Sequence, residues 1–296
     1  HRDELARRDV AQLGRTPAQQ GFGTTHRAAV QIDLRLVVQR QLVVLHGLPQ
    51  RAFDLHRTQG QDVRLRREER DTAITLRSVV YEERHRIITA LSENHGLITA
   101  MAKNSISSRR FGGALEPFAA SEWLFTEKPG AEIVILQEAR AKRSYEGLRK
   151  DFERLSMAAV FNELMIKLAP KYEPCEELFR LHANALAALE ELPGEGPDLM
   201  LLNGYLAKVL QWSGSQPQLQ ACLTCGKPFE AIPLDSALSC VVRDAGWVCD
   251  QCRVSQTRHL REREGGNFGH ALLRVTPTAI QDFFMFLNTP IRQIPG

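Results

Sequence analysis

The chain has 296 residues, of which 43% are hydrophobic and 25% are charged, and this balance is typical of a globular protein with room for two or three domains. Its formal net charge is only +3, so any affinity for an anionic polymer must come from local clusters of cations. No apolar run approaches the ~18 residues that a membrane-spanning helix needs, and the N-terminus lacks the apolar stretch of a secretory signal. We therefore expect a cytoplasmic protein that makes no contact with a membrane.

Residues 1–70 differ in composition from the rest of the chain. They are rich in Arg and Gln, they contain no Lys, Met, Tyr or Trp, and their apolar residues follow neither a helical nor an alternating period. A basic interaction tail is one interpretation. A transit peptide is disfavoured because such peptides are poor in acidic residues, whereas Asp3, Asp9 and Asp33 are present here. We expect this segment to be a non-native or mispredicted extension and not a domain.

Residues 71–140 contain short segments of β-type composition, separated by turn signals such as Asn94-His95-Gly96. Five such strands fit a small closed barrel, of which the OB-fold is the five-stranded example. An SH3-like barrel would give a similar pattern. The predicted strands are 72–80, 86–93, 97–102, 115–126 and 132–139.

From residue 141 onward the apolar residues recur at helical spacing. This change of period predicts a helical domain in two parts, 141–215 and 257–296. Pro170 ends the first helix, and Pro277 suits the first position of the last one. The predicted helices are 145–168, 174–192, 198–212 and 276–288.

Between the two helical parts, residues 216–256 carry two Cys-x-x-Cys pairs, Cys222 with Cys225 and Cys249 with Cys252. Each pair can present two sulfurs at the Zn–S distance of about 2.3 Å, and two pairs complete a tetrahedral shell. In a chain without an export signal, this spacing favours a metal over two disulfides. Four protein ligands leave no open coordination position, so we expect one structural Zn²⁺. The 23 residues between the pairs are enough for short hairpins.

A basic loop is predicted between the third and fourth strands, at residues 102–113. It contains Lys103, Arg109 and Arg110, small polar side chains and the aromatic Phe111. Together these groups can bind a phosphate backbone and stack a base. A solvated polar loop is the alternative interpretation. The position in the barrel favours DNA binding, because OB barrels bind single strands across their sheet face and loops.

The sequence contains no recognisable catalytic motif. The patterns G-x-x-x-x-G-K-[ST], G-x-S-x-G and H-E-x-x-H are absent, and acidic residues alternate with basic ones on the predicted helices. We therefore expect no enzymatic activity. Two alternatives stay open: a DNA-modifying enzyme with a structural zinc, and a zinc-stabilised protein-interaction scaffold that does not bind DNA.

Several segments carry a family resemblance through their order and combination. They are Asp71–Arg77, Lys103–Ser105, Arg109–Gly112, Leu115–Phe118, Tyr145–Leu148 with Asp151, and the two cysteine pairs. In this combination, the chain from about Asp71 to its end resembles the RecO family of bacterial recombination mediators. Each motif is loose when taken singly, but the combination is specific.

The predicted elements and the resemblance together imply an α+β protein. An N-terminal five-stranded OB-fold barrel would be followed by an all-helical domain that carries the four-cysteine zinc module. The resemblance implies binding of single-stranded and double-stranded DNA, annealing of complementary strands, and association with the nucleoid. It also implies that the protein acts with RecR to load RecA onto DNA covered by single-strand-binding protein. By position, Lys103, Arg109 and Arg110 match the family's basic barrel loop, so DNA contact is carried over to them.

Binding the acidic C-terminal tail of single-strand-binding protein would require a basic and apolar pocket on the helical domain. The cations that we consider for that pocket are Lys142, Arg143, Lys167 and Lys171.

Overall fold

The computed structural model of the chain describes residues 67–127, 130–193, 199–264 and 272–294. The predicted extension over residues 1–70 therefore lies almost entirely outside the described residues. The first strand begins at Arg67, ahead of the predicted domain boundary at residue 71. Within the described part of the chain, no helix is long and apolar enough to cross a membrane.

The strands of the N-terminal part are β1 (Arg67–Tyr81), β2 (His85–Ser92), β3 (Gly96–Ala102), β4 (Ala120–Glu127) and β5 (Val134–Arg143). They form a closed barrel with the order β1-β2-β3-β5-β4. All neighbouring pairs are antiparallel except β3 and β5, which run parallel and close the sheet. Alternate side chains point inward, and Trp123 and Phe125 of β4 are each 1% exposed in this interior.

The predicted fourth strand, 115–126, begins instead at Ala120. The residues before it form a short 3-10 helix, Gly112–Leu115, whose Ala114 and Leu115 side chains lie in the barrel core. The Ala114 carbonyl accepts a hydrogen bond of 3.2 Å from the buried Thr75 hydroxyl. This segment therefore helps to fill the barrel and does not extend its sheet.

The helices are α1 (Phe152–Leu168), α2 (Glu176–Glu191), α3 (Leu199–Trp212), α4 (Asp250–Glu264) and α5 (Pro277–Asn288). The predicted first helix begins later than expected, at Phe152, because the Asp151 side chain caps it by accepting hydrogen bonds from the Glu153 and Arg154 amides. The last helix begins as predicted, with Thr276 as its cap and Pro277 at its first position.

The cysteine region contains a small sheet made of β6 (Leu238–Val241), β7 (Gly246–Cys249) and β8 (Leu272–Val275). Its order is β7-β6-β8, and both pairings are antiparallel. The β6–β7 hairpin lies between the cysteine pairs, where short hairpins are predicted. Neither β8 nor α4 is among the predicted elements. Because β6, β7 and β8 are strands, the second domain is not all-helical.

A β-bulge joins the barrel to the helices. The register between β1 and β2 shifts between Thr75 and Arg77, which leaves Leu76 as the extra residue. The Asn162 side chain of α1 donates a 2.7 Å hydrogen bond to the Leu76 carbonyl. His182 of α2 holds the Asn162 amide, with its Nε2 3.1 Å from Oδ1. Burial lowers the pKa of His182 to about 3, so the ring is neutral, and Nε2 donates because the Asn162 Oδ1 can only accept.

The β2–β3 hairpin makes a second junction with the helices. The Leu97 amide donates a 2.7 Å hydrogen bond to the carbonyl of Pro170, which follows α1. Asp71 of β1 fixes the same hairpin, because it accepts hydrogen bonds from the Asn94 amide at 3.1 Å and from His95 Nδ1 at 2.8 Å. Burial raises the pKa of Asp71, but hydrogen bonds from its neighbours outweigh this and bring that pKa below its usual value.

Gly96 lies where this hairpin meets the helical domain, and we expect it to tolerate no side chain. Its φ is +64°, and an added Cβ would lie 2.2 Å from the Glu173 carbonyl and 2.4 Å from the Pro170 carbonyl. Gly214 is a matched control, because its φ is +72° but no atom lies within 4 Å of an added Cβ. Gly214→Ala should cost about 1–2 kcal/mol for the left-handed conformation alone. Gly96→Ala should cost clearly more, and equal losses in urea unfolding would contradict this junction.

Candidate nucleic-acid interface and metal centre

The basic loop, defined here as Lys103–Arg110, follows β3 at one end of the barrel. Its backbone is fixed to the β1–β2 turn by two hydrogen bonds. The Asn104 amide donates to His85 Nδ1 at 2.9 Å, and the Ile106 amide donates to the Arg84 carbonyl at 3.3 Å. The loop and the turn therefore form one surface.

Arg110 closes the basic loop on itself. Its guanidinium donates to the Ser108 hydroxyl at 3.1 Å, to the Lys103 carbonyl at 3.2 Å and to the Gln137 carbonyl at 3.4 Å. It also lies over the Phe111 ring, 5.2 Å from the centroid. Arg110 thus positions the loop in this conformation, and DNA contact by Arg110 stays a prediction.

Lys103 and Arg109 are the uncompensated cations of the loop. Both side chains are exposed, and within the residues that the structure describes neither has a carboxylate within 4.0 Å or a side-chain hydrogen bond. Their charges are therefore available to an external anion without first breaking an internal ion pair.

Phe111 does not form part of the exposed surface. Its side chain is 2% exposed and belongs to the barrel core together with Ala114 and Leu115. A base stacks only on an accessible ring face, so the burial of Phe111 contradicts the prediction that it contacts DNA. Gly112, which follows it, has a φ of +46° and begins the short 3-10 helix.

Lys142 and Arg143 lie at the end of β5, and both are already paired. Lys142 Nζ lies 2.6 Å from Glu122, and Arg143 lies 2.8 Å from Glu190 of α2. The hydrogen bond with Glu190 is the main reason that the pKa of Arg143 is raised. The Arg143 guanidinium also lies 4.4 Å from the centroid of the Tyr145 ring.

Lys167 and Lys171 lie far from Lys142 and Arg143. Arg154, in the first turn of α1, donates to the Glu190 carbonyl, so Arg143 and the start of α1 meet at Glu190. Lys167 is in the last turn of α1, about 20 Å away along a helix that rises 1.5 Å per residue. The structure therefore does not bring the four predicted partner-binding cations into one pocket.

The β1–β2 turn contributes exposed residues that we did not predict as functional. Tyr81 is 41% exposed at the end of β1, and Arg84 is an exposed cation in the turn. A signal was present in the sequence, because Val79, Val80 and Tyr81 place three consecutive apolar residues directly before charged turn residues. Consecutive exposed apolar residues are unusual unless they have a binding role.

The four predicted metal ligands converge. The sulfurs of Cys222, Cys225, Cys249 and Cys252 lie within 4.8 Å of one another, and no other group of three or more metal-binding side chains is found among the described residues. The Cys225 and Cys249 sulfurs are 3.9 Å apart, close to the ~3.8 Å edge of a tetrahedron with Zn–S bonds of about 2.3 Å. This distance is too long for a disulfide.

Local backbone geometry forms the first cysteine knuckle. The Gly226 amide donates to the Cys222 carbonyl at 2.9 Å, and Gly226 has a φ of +70°. Cys249 ends β7, and Cys252 lies in the first turn of α4. Trp247 lies in the same core as Cys222 and Cys249. It is fully buried and donates a 2.8 Å hydrogen bond to the Leu219 carbonyl.

The electrostatics of the cluster favour a cation at its centre. Burial raises the pKa of Cys222, but hydrogen bonds from the backbone amides of Cys225, Cys249 and Thr224 lower it to about 7. The neighbouring sulfurs of Cys249 and Cys225 raise the pKa of Cys252 to about 12, with the Cys249 contact as the main cause. Four thiolates at this spacing repel one another, and a divalent metal ion removes that repulsion. The donor set is therefore suited to zinc.

Comparison with known proteins gives two family matches. The family model described as recombination protein O N terminal matches residues 66–145, and the one described as recombination protein O C terminal matches residues 149–266. The first range contains the whole barrel, and the second contains the cysteine cluster.

Three curated relatives, each named DNA repair protein RecO, illustrate the likeness. The protein of Anaeromyxobacter dehalogenans (strain 2CP-C) is 35% identical over 190 residues, which is 64% of this chain and 72% of the relative. That of Anaeromyxobacter sp. (strain K) is 35% identical over 164 residues, 55% of this chain and 63% of the relative. That of Pelobacter propionicus is 33% identical over 201 residues, 67% of this chain and 80% of the relative.

Metal loss should unfold the cysteine region. We expect about one zinc per chain by atomic spectroscopy. Cys222→Ser or Cys249→Ser should remove it and lower the stability by about 3 kcal/mol or more, a fall of roughly 10 °C in Tm. Cys240→Ala is the control, because Cys240 lies on β6 outside the cluster. Unchanged metal content and Tm in the two serine variants would show that the cluster binds no structural metal.

Proposed function

The chain belongs to the RecO family of DNA repair proteins, and we propose that it is a recombination mediator that binds single-stranded DNA and anneals complementary strands. The barrel acts as an OB-fold that binds the strand, and with RecR the protein promotes loading of RecA onto DNA covered by single-strand-binding protein. Double-stranded DNA, the annealing product, binds to the same cations. The family likeness supports these activities and partners.

The observation that carries the proposal is the pair of unpaired cations on the basic loop. Lys103 and Arg109 face solvent on a backbone that the β1–β2 turn holds in place. A phosphate that binds there displaces only counterions, and this release favours binding at low salt. Lys142 and Arg143, by contrast, would first have to leave Glu122 and Glu190.

Annealing requires little chemistry from the protein. Two complementary strands repel each other through their phosphates, and neutralisation of those charges lets the strands approach. The cations must contact the backbone and leave the base edges free to pair. Lys103 and Arg109 are suited to this task, because long flexible cations bind phosphates without reading base edges.

The acidic tail of single-strand-binding protein binds at the end of α1 in this proposal. Lys167 and Lys171 are exposed there, and neither has a carboxylate within 4.0 Å in the described part of the chain. The partly buried Leu168 and Ile166 supply apolar surface beside them. The pairing of Lys142 and Arg143 makes those two residues weaker candidates.

We assign one structural Zn²⁺ to the four cysteines. It would be held by all four sulfurs, with no coordination position left for a substrate. Its role is to stabilise a region whose core is small, built around Trp247, Val248 and Phe229.

The loop cations can be tested directly by fluorescence anisotropy with a labelled oligo-dT. Lys103→Ala with Arg109→Ala should weaken binding by about 25-fold at 0.1 M salt and reduce the slope of log K against log salt by about 1.4, since each phosphate contact to a single strand contributes about 0.7. The matched control is Arg140→Ala with Lys142→Ala, which also removes two exposed cations but ones that are paired with Glu138 and Glu122. The control should change the affinity much less.

Equal effects of the two double variants would mean that the protein binds DNA through general charge alone. An absence of binding at low salt would favour the scaffold hypothesis. A magnesium-dependent change in the oligonucleotide itself would instead reveal an enzyme.

A further inference from the structure

The outer face of the barrel carries an apolar row that crosses four strands. Val79 of β1 pairs with Ile87 of β2, Ile87 with Met101 of β3, and Met101 with Ile135 of β5. The neighbours of these residues along the strands, such as Ile88 and Leu136, lie in the barrel core, so the row points outward. It spans three strand spacings, about 14 Å in all.

Nearer the β2–β3 hairpin, helices cover the same outer face. Ile74, Leu91 and Leu97 form a parallel cross-strand row, and all three lie in the core shared with the helical domain. Arg77 lies between the two rows and pairs with Glu163 of α1. The face is therefore continuous, with one half buried by this chain and the other half left open.

Exposure confirms the difference between the two halves. Val79 is 52% exposed, whereas Leu91 is fully buried. Ile87, Met101 and Ile135 are partly exposed. One step beyond the row on the same face of β1 lies Tyr81, paired with His85.

Cations border the open half. Lys103 directly follows β3, beside Met101, and Arg109 lies on the same loop, which is hydrogen-bonded to the turn next to Tyr81. The turn also carries the exposed Glu82 and Glu83, and the Glu82 carboxylate hydrogen-bonds to the Tyr81 hydroxyl. Positive charge thus lies beside the open half of the face, and the two turn carboxylates lie next to Tyr81.

We propose that the bases of a single strand lie on this open half-face, on Tyr81 and the apolar row, while its phosphates contact Lys103 and Arg109. This inference rests on the proposed DNA-binding function and names where the bases go. The surface is apolar and continuous, Tyr81 gives it an accessible aromatic ring at the end nearest the cations, and a strand offers flat apolar bases flanked by charge. Tyr81 takes the role that the buried Phe111 cannot.

The mostly aliphatic character of the row has a consequence for annealing. Aromatic platforms hold bases strongly, but Val79, Ile87 and Met101 offer only apolar contact. Bases on such a surface exchange readily and their pairing edges remain free for a complementary strand.

The test compares a dT oligonucleotide with an abasic strand of the same length and charge. Tyr81→Ala should weaken binding of the dT strand about tenfold, within the range measured for loss of one stacked base, and should not change binding of the abasic strand. Tyr81→Phe should retain affinity, because the ring persists. Val79→Ser, at an exposed position that does not threaten the fold, should also weaken only the base-containing strand.

Phe152→Ala is the matched control, since Phe152 is 82% exposed at the start of α1 and should have no effect. If Tyr81→Ala and Val79→Ser leave the dT affinity unchanged while Lys103→Ala with Arg109→Ala lowers it, the inference is wrong but the proposed function stands. Equal losses on both strands would also overturn it. If no variant and no strand shows binding, the proposed function itself fails.

Discussion

The β-bulge at Leu76 decides which side chains of β1 face outward. Before it, Ile74 lies on the outer face and packs against the helices; after it, Val79 and Tyr81 lie on that face, because one extra residue reverses the alternation. The bulge also leaves the Leu76 carbonyl outside the regular ladder, and Asn162 of α1 donates to it at 2.7 Å. One local irregularity therefore both attaches the helical domain and sets which half of the barrel stays open.

The open half of the barrel face and the basic loop lie side by side because both are attached to the β1–β2 turn. The turn positions Tyr81 through β1 and positions the loop through His85 and Arg84. On the opposite side, the β2–β3 hairpin is fixed to the helical domain around Gly96, where no side chain fits. Rigid support on one side and exposed, unpaired cations on the other are the arrangement expected of a surface that binds a flexible polyanion.

The sequence predicts the metal cluster best, because Cys-x-x-Cys spacing is a local property and all four cysteines converge. The barrel strands are also predicted, since alternation and turn residues are local signals. The burial of Phe111 could not be predicted, because an aromatic residue beside two arginines has the same local pattern in a core as on a surface. The bulge at Leu76 and strand β8 were missed for a related reason: both depend on strand pairing, of β1 with β2 for the first and of β8 with β6 for the second.

Hydrogen–deuterium exchange of the full chain, with and without a saturating dT oligonucleotide, tests most directly whether the open half of the barrel face binds the strand. The account predicts slower exchange in residues 79–87 and 99–110, and no change in residues 170–173, which pair through their backbone with Gly96 and Leu97 at the other end of β3. Protection confined to the helical domain, with residues 79–110 unchanged, would contradict it.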